Sequence, residues 1–193
     1  MIYAATIFLS SFLLFLVQPL IARQILPWFG GTAAVWTTCM LFFQTLLLAG
    51  YAYAHASNAM LKPRAQTMLH SVLLAAALAT LPIAPSEGWK PLGTEEPISY
   101  ILLVLTVTVG LPYLLLASTS PLLQAWFARA RPGADPYRLF AVSNLASLLA
   151  LVGYPLVVEP FFGNREQVIW WSGLFAVFAV FCAGLAARLA KRI

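Results

Sequence analysis

The chain is 193 residues long, 62% hydrophobic and only 9% charged, with a mean hydropathy of +0.87 and a formal net charge of +5. A soluble domain carries about 25% charged residues, so this composition excludes a water-soluble globule and names lipid as the solvent. In that solvent the excess of Lys and Arg reports membrane orientation before it reports nucleic acid, and no nucleic-acid partner is expected.

Six apolar segments follow in order. The first runs from about Ile2 to Ile21 and closes at Gln18-Pro19 and Arg23, with Pro27 and Gly30-Gly31 in a short loop. The second runs from about Thr32 to Ala54. It carries Gln44, Tyr51 and His55 on one face, because steps of seven and four residues return to the same side of a helix. The third covers about Ala65 to Ala84 and leads into the exposed loop PSEGWKPLGTEEP. The fourth, from Ile98 to Phe127, is too long for one straight crossing. Gly110-Leu111-Pro112 predicts a kink, and Ser120-Pro121 reads as the start of a further helix, with Arg131, Pro132 and Gly133 ending the segment. The sixth runs from about Val168 to Ala187.

The fifth, about Tyr137 to Val158, lies within DPYRLFAVSNLASLLALVGYPLVVEPFFG, which has more polar content than a lipid-facing helix needs. Ser143, Ser147, Ala150 and Tyr154 make a stripe of small and hydrogen-bonding residues with Asn144 beside it. That pattern predicts a helix buried inside the bundle, with Asn144 holding it to a neighbour. Trp28, Trp126, Trp170 and Trp171 near segment ends predict an interfacial aromatic belt.

Basic residues set the orientation. Lys62, Arg64, Arg129, Arg131, Arg138, Arg188, Lys191 and Arg192 fall in the second loop, the fourth loop and the C-terminal segment. The other loops hold Arg23, Lys90 and Arg165. The positive-inside rule then puts both termini in the cytoplasm. A removable signal peptide is not expected, since no basic region and cleavage site frame the first segment.

The chain also repeats weakly. Pro19-Leu20 matches Pro121-Leu122, and LLLAGY ending at Tyr51 matches ALVGY ending at Tyr154, at offsets of about 102 or 103 residues. The matched pieces lie on opposite sides of the membrane, as a 3+3 inverted repeat requires.

Three runs carry a family resemblance: VQPLIARQILPWFGGTAAVWTTCMLFFQTLLLAGYAYAH, LPYLLLASTSPLLQAWFAR and DPYRLFAVSNLASLLALVGYPLVVEP. Together they resemble the membrane part of spermidine-synthase-like bacterial proteins. The resemblance implies an all-α bundle of six transmembrane helices like half of a major facilitator superfamily transporter, in the bacterial inner (cytoplasmic) membrane. The synthase chemistry is not carried over: the only double glycine is Gly30-Gly31, and no glycine-rich nucleotide loop follows. The chain is read as a stand-alone membrane module or as a piece of a longer protein.

The candidate polar contacts are Arg23, Gln44, Tyr51, His55, Asn144, Tyr154 and Glu159. Arg23 and Glu159 are expected to form a direct ion pair at the outer ends of the first and fifth segments. A structural latch is the simpler role for them, a gate or substrate contact the sharper one. Gln44, Tyr51 and His55 suit either a cavity for a polar solute or interhelical hydrogen bonds. His70 is expected to be packed, and Cys39 and Cys182 to be core thiols. No catalytic triad, HExxH or metal-ligand spacing is present, so the chain is read as a non-enzyme without metal or cofactor. The leading function is a transporter-like module for a small polar solute, working with a second copy, alone or within a larger membrane complex. The alternatives are an accessory or anchoring subunit of a larger membrane complex, and the membrane domain of a spermidine-synthase-like enzyme without its catalytic part.

Overall fold

Helices account for almost the whole of the computed structural model, which describes residues 1–93, 95–131, 133 and 135–192; no strand occurs among them. Pro132, expected in the fourth loop, lies outside the described residues. The elements are α1 (Ile2–Phe29), α2 (Ala33–Met60), α3 (Pro63–Ala79), α4 (Pro97–Leu105), a π-helical segment (Thr106–Gly110), α5 (Leu111–Ala130), α6 (Tyr137–Gly153), a second π-helical segment (Tyr154–Val158), α7 (Glu159–Phe161) and α8 (Asn164–Arg192). Five crossings are long and apolar enough to span a membrane: α1, α2, α4–α5, α6–α7 and α8. The helix α3, with 17 residues, would reach about 26 Å at 1.5 Å per residue, the short limit for a crossing.

Most helices overrun their expected ends. Pro19 and Pro27 lie inside α1, so neither closes the first segment, and Arg23 sits within the helix. His55 is likewise helical. Proline inside a membrane helix is tolerated because neighbouring helices and side chains re-satisfy the freed backbone groups. The fourth crossing bends the rule differently from the expected break. It stays helical through Ser120-Pro121 and is interrupted only at Thr106–Gly110. Each π-helical segment contains the residue four positions before a proline, Thr108 before Pro112 and Leu156 before Pro160. There the proline ring would meet the carbonyl of an ordinary α-turn, and a wider turn removes the clash. The fifth crossing therefore continues past Glu159-Pro160 to Phe161.

The two most buried crossings, α1 and α4–α5, form the centre of the bundle. The helix α1 packs most extensively on α6, then on α8 and α5, while α2 packs most extensively on α4–α5 and α3 on α8. Over half of the most apolar stretch of α1 is buried (56%), against 17% for α6–α7. The fifth crossing is thus an edge helix and not the buried one its polar stripe suggested. Leu139, Ala146, Ala150 and Tyr154 are its buried residues and Ser143 and Ser147 are half-buried, and one face is all that a helix with a single extensive neighbour can bury. Trp126 and Trp171, expected at the interface, are fully buried. Their indole N–H groups donate to Gln66 Oε1 at 3.0 Å and to the Leu13 carbonyl at 3.0 Å, the partners that a buried Trp needs.

Candidate functional site

Two clefts open where α2 and α6 stand apart over α1 and α5. The first, about 530 Å³, is lined from α1 by Gln18, Pro19, Ala22 and Arg23, from α2 by Trp36, Cys39, Met40 and Phe43, and from the fifth crossing by Leu151, Tyr154, Pro155 and Glu159. Gln18 Nε2 donates to the Tyr113 hydroxyl at 3.1 Å, and the Tyr113 ring lies 5.0 Å from that of Phe43, so α1, α2 and α5 are tied at the cleft floor. Tyr154 donates to Gln167 Oε1 at 3.3 Å, and Gln167 Nε2 in turn reaches the Phe162 carbonyl at 2.8 Å. Gln167 thereby satisfies an acceptor left over where α7 ends.

Arg23 and Glu159 meet at the mouth of this cleft, but not as the expected ion pair. The Arg23 guanidinium donates to the backbone carbonyl of Glu159 at 3.3 Å. Glu159 is exposed, so its carboxylate is solvated or lipid-interfacial and keeps its acceptor oxygens. A helix-terminal carbonyl lacks an intrahelical donor, and Arg23 fills that need.

The second cleft, about 410 Å³, lies deeper toward the Met1 end. It is lined by Ser11, Leu14 and Phe15 of α1, Tyr51 of α2, Ser120, Pro121 and Gln124 of α5, and Phe140, Ser143, Asn144 and Ser147 of α6. Ser11 and Ser143 share a hydrogen bond of 2.7 Å, and Gln124 Nε2 donates to Ser120 Oγ at 3.1 Å. The two linings correspond. Adding about 102 to 104 residues carries Gln18, Pro19 and Ala22 onto Ser120, Pro121 and Gln124. It carries Trp36, Cys39, Met40 and Phe43 onto Phe140, Ser143, Asn144 and Ser147.

Gln44, Tyr51 and His55 share one face of α2, and all three are exposed. Met40 of the first cleft and Tyr51 of the second belong to the same stripe, so Gln44 stands between the two clefts. Asn144 is exposed and lines the second cleft; it does not hold α6 to a neighbour, because it lies off the face that carries the buried Leu139, Ala146 and Ala150. Among the described residues, no side-chain hydrogen bond engages Gln44, His55 or Asn144. Cys39 and Cys182 are buried free thiols, as expected. His70 is fully buried, with Nδ1 at 3.3 Å from the Tyr53 hydroxyl and its ring edge-on to Trp126.

A polar knot near the Met1 end was not anticipated. Gln66 Oε1 accepts from Trp126 Nε1 and from Arg129 at 3.1 Å, Gln66 Nε2 donates to Ser57 Oγ at 3.3 Å, and Arg129 also donates to the Asn58 carbonyl at 3.2 Å. It joins α2, α3 and α5. Its signal was present in sequence as a lone amide at the start of an apolar helix, and so was that of Gln18 in α1. Among the described residues no three His, Cys, Asp or Glu side chains are placed to hold a metal ion.

The polar groups lining the two clefts are amides, hydroxyls, one thiol, one indole, one guanidinium and one carboxylate, a set suited to holding a solute by hydrogen bonds. The fold is that of an all-helical protein with five helices long and apolar enough to cross a membrane. Comparison with protein-family models, with curated proteins and with solved structures found no match to this chain.

Proposed function

We propose that this chain is a non-enzymatic, transporter-like module that passes a small polar solute along the groove between α2 and α6. In this reading the six crossings form half of a major facilitator-like architecture with a 3+3 inverted repeat. A second copy covers the groove, and both termini lie in the cytoplasm of a bacterial cell. The observation that carries the reading is the correspondence of the two cleft linings at a near-constant offset. Two related half-sites at different depths are what an inverted repeat builds around a central pathway. The packing supports it too: exchanging the first three crossings with the last three turns the α1–α6 contact into the α5–α2 contact, and α1–α8 into α5–α3. The exposed amides Gln44 and Asn144 support it further, since a lipid-facing amide in an apolar span is costly and a solvated pathway relieves that cost.

The test is accessibility to a small water-soluble thiol reagent, in a Cys39→Ala, Cys182→Ala background reconstituted in vesicles. Cysteines at Gln44 and Asn144 should react far faster than cysteines at the exposed apolar positions Leu103 and Val177. Equal, slow reaction at all four would end the pathway reading. The native mass in detergent gives the partner. A dimer fits the second copy, whereas a stable complex with another membrane protein would favour the accessory-subunit reading.

A further inference from the structure

At the Met1 end of the bundle, away from both clefts, three arginines from three separate elements line one cavity of about 550 Å³. Arg131 follows the end of α5, Arg138 lies in the first turn of α6, and Arg188 lies near the end of α8. The rest of the lining is apolar or aromatic, including Phe127, Leu139, Val142 and Leu185. Among the described residues no carboxylate lines the cavity, and no ion pair engages any of the three guanidiniums. Arg131 is steered by its own helix, with its guanidinium carbon 5.6 Å from the Phe127 ring centre. Arg129, only two residues earlier, is spent on Gln66 and the Asn58 carbonyl and points elsewhere.

We propose that this cavity is a binding site for an anionic glycerophospholipid, with its phosphodiester among Arg131, Arg138 and Arg188 and the start of an acyl chain against Val142, Leu185 and Leu139. Three like charges facing one space repel one another unless an anion joins them. Guanidiniums are the side chains whose fork geometry matches phosphate oxygens two at a time. Height selects the lipid over a free ion. The crossings end at Ala130 and Ala190, and the next one starts at Tyr137, so the three cations stand at the level of the headgroups while the apolar floor runs into the hydrocarbon. A basic pocket between transmembrane helices at that level is the recognised form of an anionic headgroup site. The inference is independent of the transport reading, since it uses none of the residues of the groove.

The experiment is native mass spectrometry of the full chain in neutral detergent with phosphatidylglycerol, phosphatidylcholine or inorganic phosphate added. Phosphatidylglycerol should be retained about tenfold more than phosphatidylcholine, and Arg138→Gln or Arg188→Gln should each remove most of that preference. Arg64→Gln removes a charge at the same end but outside the cavity, and should leave the preference intact. Equal retention of the two lipids overturns the proposal. So does an Arg64→Gln effect as large as that of Arg138→Gln, which would mean diffuse attraction, or displacement of the lipid by inorganic phosphate at equal concentration, which would mean a free-ion site. Melting curves of each variant without lipid confirm that it is folded, and the wild-type comparison decides the matter even if one variant is not.

Discussion

The guanidinium of Arg23 binds Glu159 through its backbone carbonyl, 3.3 Å away, and leaves the carboxylate to the cleft mouth. The bond latches α1 to the end of the fifth crossing without using the charge of Glu159. Arg23→Ala should therefore lower stability by about 1 kcal/mol, the worth of one partly exposed hydrogen bond to a charged group. Glu159→Gln should change it by less than about 0.5 kcal/mol, as an unpaired surface substitution does. Thermal unfolding in detergent of both single variants and the double variant checks this. A coupling above about 1 kcal/mol between the two would restore a direct ion pair.

Gln66 is fully buried and serves Trp126, Arg129 and Ser57 at once. Gln66→Leu should destabilise the protein by about 1–3 kcal/mol, because the indole N–H is left buried without an acceptor. Adding Trp126→Phe to Gln66→Leu should cost less than the two single changes summed, since the orphaned donor goes with the indole. Equilibrium unfolding of the three variants reads the difference.

Gly50 and Gly153, which the proposed repeat would pair, differ in their surroundings. A Cβ at Gly50 would stand 2.6 Å from the Ala117 Cβ and 3.0 Å from the Leu114 carbonyl oxygen, whereas at Gly153 nothing lies within 4 Å. Gly50→Ala should force α2 from α5 at about 1–3 kcal/mol, the usual cost of overpacking. Gly153→Ala should be neutral or stabilising by up to about 1 kcal/mol, through helix propensity alone. Melting temperatures moving together would show that α2 and α5 do not cross at Gly50.

Glu96 caps α4 with its side chain, accepting from the Ser99 N–H at 2.7 Å. That bond holds its carboxyl below the usual carboxylate range. A folded-state value below the unfolded one stabilises the cap above the ordinary range, and the benefit fades as pH falls through the lowered value. A carboxyl carbon titration by NMR should show the low midpoint, and Ser99→Pro, which removes the N–H, should return it toward the ordinary value.

The solvent of this protein was legible in composition alone, since 9% charged residues in 193 cannot cover a water-facing surface. The order of the apolar segments was legible too, five of the expected six being long and apolar enough to cross a membrane, and so was the cluster of basic residues at one end. What composition and spacing could not reveal is which face of each helix meets protein. In water the core face of a helix is apolar and the outer face polar, so periodicity tells them apart. In lipid both faces are apolar, and the distinction loses its mark. Hence the polar stripe of Ser143, Ser147 and Tyr154 suggested a buried helix, while tertiary packing set α6 at the edge with Asn144 outward. Hence also Trp126 and Trp171 belong to the interior, because Gln66 and the Leu13 carbonyl lie across the bundle, far away in sequence. The prolines differ among themselves as well: Pro112 and Pro160 are accompanied by wide turns, whereas Pro19 and Pro121 lie within α-helix.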